Sequence, residues 1–306
     1  MISNLERHLY RDTLEPPETD LGHAIPFLKD RAVNSERIAA ILLYGSGLWQ
    51  GPSDDRVWDL HVLVDDPGDF DKRLWHRIAG RILPPNVYYF EHEQKKRIWR
   101  YKCNVMSLRQ FRKQCEGKCL TPHIWARFCQ PCRLIYYRDE ESKKQTVTSL
   151  EQAVIKFHRF SLPFCEKDNF SPSHIWETGL KKTYSLELRS ESKNRPSDIY
   201  KANPKNFTAR TNALLKDLGE WHFDQFQNNS QWRAKLFPVY KPLVKLIGLF
   251  RILKSATTFQ NGVDYALWKI ERHSGIKATP TDKQRKYPLV FGWPLLWELW
   301  RKGALK

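Results

Sequence analysis

Residues 38–64 constrain the fold more than any other stretch of this chain. Ile38-Ala-Ala-Ile-Leu-Leu-Tyr44 is an apolar run of strand length. It offers no polar side to water, so it predicts a strand buried on both faces. The run ends in Gly45-Ser46-Gly47. A polar loop, Gly51-Pro-Ser-Asp-Asp-Arg56, leads to a second apolar run, Val57 to Val64, whose one acid is Asp59. Strand alternation points Val57, Asp59, His61 and Leu63 to one face. A small turn between two strands lets backbone N–H groups approach an anion closely, and an acid on the following strand can hold a divalent cation against it.

The remaining pattern extends this unit. Asp66-Pro-Gly-Asp69 is a turn. Phe70 to Ile82 reads as a helix, with Leu74, Ile78 and Ile82 at i, i+4 and i+8. Val87 to Phe90 and Arg97 to Met106 read as strands. Ser107 caps a helix that runs to Glu116, and Cys132 to Tyr137 supplies a last strand. Segments 149–162, 171–192 and 206–227 then read as helices. The expected organisation is an α/β domain over 1–142, a helical second domain over 143–230, and a basic amphipathic region over 231–306.

Charge separates the last of these from the rest. Residues 201–306 hold 19 Lys and Arg against 7 Asp and Glu, a net of +12 out of a total of +17. Such asymmetry implies an anionic partner surface. Gln231 to Ala256 carries six basic residues and no acid. After Pro242, helical spacing gathers Leu243, Leu246, Ile247, Phe250 and Leu253 on one side, opposite Lys241, Lys245, Gly248 and Ser255. Arg251 flanks the apolar side, and Lys254 falls within it near the end. A wide apolar face edged by cations suits a helix lying in a membrane interface. A nucleic-acid surface would show Gly, Asn, Ser and Gln among its basic residues, so none is expected as partner. Lys241, Lys245, Phe250 and Arg251 are the expected membrane contacts; a core helix with solvated lysines is the plainer reading. Trp293, Trp297 and Trp300 recur at i, i+4 and i+7 and suit either the headgroup level of a bilayer or packing on the domain.

Other classes are excluded. Aromatic residues make up 13% of the chain, far above a solvated disordered tail. No apolar run approaches the length of a spanning helix. Met1 to Asp20 is too acidic for a targeting peptide. Six cysteines are too few for a disulfide scaffold, so reduced thiols and a cytoplasmic-type compartment are expected. Cys115, Cys119, Cys129 and Cys132 are the only candidates for structural zinc, and their spacing is irregular for a zinc ribbon.

The strand, Gly-Ser turn and acidic strand resemble the nucleotidyltransferase arrangement, although most such sites have a carboxylate where His61 stands. More specifically, the chain resembles the mitochondrial-type phosphatidate cytidylyltransferases, the translocator assembly and maintenance proteins. The matching pieces are Tyr44-Gly45-Ser46-Gly47-Leu48-Trp49-Gln50, Asp59 leading to Val64-Asp65-Asp66-Pro67, Val87-Tyr88-Tyr89, Lys102-Cys103-Asn104-Val105-Met106-Ser107, Trp125-Ala126-Arg127-Phe128-Cys129-Gln130-Pro131, and Thr183-Tyr184 before Glu187-Leu188-Arg189. They keep the family's order over residues 40–210. The family's His- and Asn-containing block after the Asp-Pro turn is largely lost.

The resemblance implies a nucleotidyltransferase-type mixed sheet, then a helical domain for which a winged-helix-like form is one option. It implies CDP-diacylglycerol synthesis from CTP and phosphatidate with Mg²⁺, at the inner, cytoplasmic face of a membrane. Gly45, Ser46, Gly47 and Gln50 would bind the nucleotide. Asp59 would be the principal metal ligand, with Glu187 as a second. Lys102 and Arg127 would neutralise phosphate charge, and Arg189 and Lys193 would hold the substrate phosphate. His61 is expected to pack, because a hard cation prefers oxygen ligands. The alternatives are a nucleotidyltransferase with another acceptor (RNA, a protein hydroxyl or another headgroup) and a non-catalytic anionic-lipid-binding protein.

Overall fold

The computed structural model describes residues 2–48, 56–94, 96–166, 171–187, 195–228, 231–258 and 262–303. Helices α1 (Asn4–Leu14) and α2 (Ala24–Arg31) precede strands β1 (Ile38–Tyr44) and β2 (Val57–Val64). Helix α3 (Leu74–Ile82), strands β3 (Asn86–Gln94) and β4 (Arg97–Ser107), helices α4 (Leu108–Cys115) and α5 (Trp125–Phe128), and strand β5 (Cys132–Tyr137) follow. Beyond β5 the described residues are helical. They form α6 (Glu140–Ser161), α7 (Pro172–Tyr184), α8 (Arg195–Ala202), α9 (Pro204–Asn228), α10 (Gln231–Thr258), α11 (Gly262–Ser274), α12 (Asp282–Lys286), α13 (Pro288–Phe291) and α14 (Trp293–Arg301).

The sheet is mixed, in the order β3-β4-β2-β1-β5. Only β2 and β4 run parallel; the other neighbours are antiparallel. Every residue of β1 is buried, as its unbroken apolar run requires. One face of the sheet presents Ile41, Leu43, Leu60, Val62, Tyr101 and Val105 to Phe27 and Leu28 of α2. The other presents Leu42, Leu63 and Met106 to Phe111, Phe128, Val147 and Leu150. That second core continues without a break into Trp176, Leu180 and Phe207. Helices α6 to α9 and the N-terminal α1 therefore form a layer of the same core. Ser107 caps α4 through a reciprocal pair with Gln110, as its position predicts.

His158 lies in this helical layer. Its Nδ1 donates to Val154 O at 2.9 Å, and its Nε2 meets Thr211 Oγ1 at 3.0 Å. Burial lowers its pKa to about 4, against the opposing effect of the Val154 carbonyl. A histidine whose folded pKa is depressed contributes stability above its unfolded pKa of 6.5, and that contribution is lost as pH falls toward 4. Acidification across that window should lower stability by up to about 1.4 kcal/mol per pH unit from this one group. His158→Gln should flatten the limb by one proton, measured as the pH dependence of urea midpoints; an unchanged slope would refute the assignment.

Helix α10 departs from the amphipathic expectation. It runs through Pro238 and Pro242. Its inward side is Val244, Gly248, Arg251 and Ser255, which line a cavity. Leu243, Leu246, Leu249, Phe250 and Leu253 are exposed, so a plain core helix does not describe it. Lys254, expected to snorkel outward, is buried and donates to Leu83 O (2.6 Å), Pro85 O (2.5 Å) and Asn86 Oδ1 (3.1 Å). Phe237 packs on Phe164 at the other end, with ring centroids 5.1 Å apart. Trp293, Trp297 and Trp300 of α14 are exposed, while Leu295 and Leu299 pack with Leu267 of α11.

Candidate active site

Strand register assembles the site. Tyr44 pairs with Asp59, and Asp59 pairs with Lys102. One step along, His61 pairs with Asn104 and Asn104 with Val87. Residues two apart on a strand share a face, so both rows point to the side covered by α4, α5 and α6. Asp59 and Lys102 face one another, Nζ to Oδ1 at 3.7 Å.

The turn after β1 requires glycine. Gly45 has φ of +83°, a left-handed conformation, and a Cβ there would lie 3.1 Å from Asp59 Oδ2. The Asp59 carboxylate is thus laid directly against the Gly45-Ser46 turn. Gly47 sits against the Trp58 ring, which a Cβ would meet at 3.0 Å. Gly45, Ser46, Asp59, Tyr44, Lys102 and Arg127 line a cavity of about 360 Å³ that Tyr184, Arg195 and Asp198 close from the helical layer.

A second cavity of about 330 Å³ lies beside the first and shares Tyr44, Lys102 and Arg127 with it. Its floor is the His61-Asn104-Val87 row, and α10 roofs it with Val244, Gly248, Arg251 and Ile252. Arg127, at the boundary, stacks on Tyr44 with Cζ 5.4 Å from the ring centroid and approaches Glu187 at 3.9 Å. Burial opposes its charge, but Tyr44, Glu187 and Asp59 outweigh that and raise its pKa, so the guanidinium stays charged. Arg251 enters from the far side and donates from Nη2 to Pro84 O at 3.2 Å. Burial lowers it to about 10, which still leaves it cationic at neutral pH.

His61 is fully enclosed by Phe111, Phe128 and Tyr44, with ring centroids at 5.5, 4.9 and 6.3 Å. Burial, helped by Arg127, lowers its pKa to about 3. It is a neutral packing residue whose Nε2 has no hydrogen-bond partner. His123 likewise bonds Thr121 through Nδ1 (3.0 Å), leaves Nε2 unpartnered and is depressed by burial and by Arg251. Both residues line the second cavity.

Gly45, Ser46, Asp59, Lys102 and Arg127 therefore come together as expected from the sequence. Glu187 does not join Asp59. The turn after α7, closed by Glu187 N donating to Tyr184 O at 3.0 Å, sets its carboxylate against Arg127, where it lines the second cavity. There it stands beside Arg127 and does not line the Gly45-Ser46-Asp59 cavity. Arg251 is also corrected: α10 turns it inward, so it faces the cavity and not a membrane. Lys241 and Lys245 are partly exposed and Phe250 exposed. Gln50, Arg189 and Lys193 lie outside the described residues. Reading the residues alone overlooks Asn104 and His123 as lining residues. Asn104 was within reach, since it follows Lys102 by two on one strand; His123 is brought in only by tertiary packing.

Among the described residues no three His, Cys, Asp or Glu side chains converge as a metal group. The Cys115, Cys129 and Cys132 thiols are buried and raised by that burial. A Mg²⁺ ion held by one carboxylate and the oxygens of a bound triphosphate needs no such cluster. Asp59, against a turn where even a Cβ would crowd its oxygen, fits that role. Compared with known proteins, the chain matches no family model, and no curated protein is significantly similar to it.

Proposed function

We propose that this chain is a nucleotidyltransferase that makes CDP-diacylglycerol and pyrophosphate from CTP and phosphatidate. The observation that carries the reading is the pair of adjoining cavities divided by Lys102 and Arg127, one built on Gly45-Ser46-Asp59 and the other apolar, basic and roofed by α10. On this reading the sheet is of nucleotidyltransferase type and the helical layer is its second domain, with a winged-helix-like form as the finer option.

The triphosphate lies in the first cavity, with Gly45 and Ser46 offering backbone N–H groups and a hydroxyl. Asp59 holds Mg²⁺, which when bound neutralises phosphate charge. The phosphatidate phosphate enters the second cavity between Arg127 and Arg251, with its glycerol end toward Asn104 and the histidine nitrogens. An oxygen of that phosphate forms a bond to the α-phosphorus of CTP while the bond to the β-phosphate oxygen breaks, and pyrophosphate leaves. A phosphate monoester is mostly dianionic near neutrality, its second pKa being ~6. No general base is needed, in keeping with a neutral His61. The task of the protein is to hold two polyanions together, and Lys102 and Arg127 stand between both. The exposed apolar face of α10 is laid on the inner, cytoplasmic face of an anionic membrane, from which the lipid reaches the cavity it roofs.

Pyrophosphate release from CTP with Mg²⁺ and phosphatidate in mixed micelles tests this. Release that requires phosphatidate is expected. Release with RNA or another phosphorylated acceptor, but not with phosphatidate, would move the acceptor; no turnover of any triphosphate would refute the enzymatic reading.

A further inference from the structure

We propose that α3 is a second membrane-docking element, which seats the α/β domain itself on an anionic bilayer beside α10. The inference rests on the membrane reading above and extends it to a helix of the α/β domain. Leu74, Ile78 and Ile82 share one face at i, i+4 and i+8, and that face points outward: they are 68%, 39% and 77% exposed. The inward face is His76, Ala79 and Gly80.

This orientation is built in. His76 Nδ1 meets Asp71 Oδ2 at 2.6 Å, and Asn86 Nδ2 donates to His76 O at 2.7 Å. Gly80 lies so close to Asn86 that a Cβ would meet its Nδ2 at 2.8 Å. Gln110 Nε2 donates to Gly80 O and Arg81 O, both at 3.0 Å, which holds the end of the helix. Rolling α3 to bury its leucine and isoleucines would break each of these bonds and drive a larger side chain into the space Gly80 leaves. An apolar stripe locked outward calls for an apolar medium.

Charge chooses the occupant. Lys72 to Ile82 carries Lys72, Arg73, Arg77 and Arg81 with no acid. Arg77 and Arg81 flank the stripe at i+3 and i+7, with Arg81 paired to Asp66 and Arg73 to Asp71 at its rear. The stripe ends where α10 begins to hold it: Lys254 bonds the carbonyl of Leu83, next to Ile82, and exposed Leu253 is the neighbour of Lys254. Lys254 thus ties the segment just after α3 to α10, a helix with its own exposed apolar residues, six cations and no acid. Apolar stripes edged by Arg and Lys are the pattern of helices lying in an anionic lipid interface.

Co-sedimentation with phosphatidylcholine vesicles containing about one-third phosphatidylglycerol tests this. The natural chain should bind, and Leu74→Ser/Ile78→Ser/Ile82→Ser should partition about tenfold more weakly or worse. Its thermal midpoint should be unchanged, because the three side chains are exposed; Ile82→Ser alone serves if the triple variant folds poorly. Pyrophosphate release with a short-chain phosphatidate dispersed below its micellar concentration should persist. Equal binding of variant and natural chain would overturn the proposal, as would a natural chain that ignores these vesicles. So would a natural dimer that the triple variant dissociates, which would make the stripe a self-association surface. Vesicle binding lost in the variant, in a protein that turns over no CTP, would sustain the α3 assignment and refute the enzymatic one.

Discussion

Asp59→Asn is expected to lower nucleotidyl transfer by about three orders of magnitude or more, with thermal stability changed by less than ~0.5 kcal/mol. The substitution keeps the shape that packs against Gly45 and removes the charge that would hold a cation. The Asp59 side chain is about a quarter exposed, so its loss leaves no buried hole. Lys102, 3.7 Å away, loses the Asp59 charge and still lines the same cavity. Nucleotide affinity measured without metal should therefore persist or rise, while Mg²⁺-dependent turnover collapses. Calorimetric titration with CTP, beside pyrophosphate release, separates the two effects. Near-normal turnover in Asp59→Asn would remove the only carboxylate that this mechanism uses and end the scheme.

The features that made Asp59 stand out in the sequence are local. Tyr44-Gly45-Ser46 follows an apolar run, and alternation alone puts Asp59 and His61 on one side. The boundaries of β1 were legible because a strand buried throughout has no polar option. The placements of Glu187 and Arg251 depend on direction, which no spacing records. Glu187 is three residues beyond the end of α7, and the turn there decides which cation it meets. Arg251 lies on a helix whose apolar face is large, so a hydrophobicity argument turns that face inward or toward lipid and carries Arg251 along its edge. The structure instead buries the small and polar side, because Gly248 and Val244 leave room for a cavity and Lys254 finds three oxygen acceptors on the segment after α3.

Helix α3 carries the same lesson. Its i, i+4, i+8 stripe is evidence for a helix and does not say which side faces the core. The inward face is settled by Asp71, Asn86 and Gln110, all from other elements. Periodicity identifies a helix from within; orientation depends on partners distant in sequence.

The second large effect is one of stability, and here too the partners are distant in sequence. Arg210 of α9 is fully buried, 0% exposed, and each of its three guanidinium nitrogens donates a hydrogen bond. It donates to Asp12 Oδ2 (2.5 Å), Cys129 O (2.7 Å) and Asn206 Oδ1 (2.7 Å). Asp12 also accepts from Arg133 at 3.0 Å and from Asn206 Nδ2 at 2.6 Å. Burial would raise the Asp12 pKa, but Arg210 and Arg133 hold it below the usual value. A carboxylate depressed in the folded state stabilises above its unfolded pKa, and that contribution is lost as pH falls below about 4. Arg210→Met should cost about 3 kcal/mol, since it leaves the buried Asp12 carboxylate with Arg133 as its one cationic partner and takes the donor from the Cys129 carbonyl. Asp12→Leu/Arg210→Met removes both charges and should recover much of that loss. Urea denaturation of the two single variants and the double variant measures the coupling; additive losses would show that the pair is not acting as a unit. The effect should reach the site as well. Cys129 is two residues from Arg127, and its carbonyl is what Arg210 holds, so the cation dividing the two cavities depends on a salt bridge made by the N-terminal helix. Arg210→Met should therefore lose turnover even at temperatures where it remains folded, and the double variant, which still lacks the donor to Cys129, should regain stability without regaining full activity.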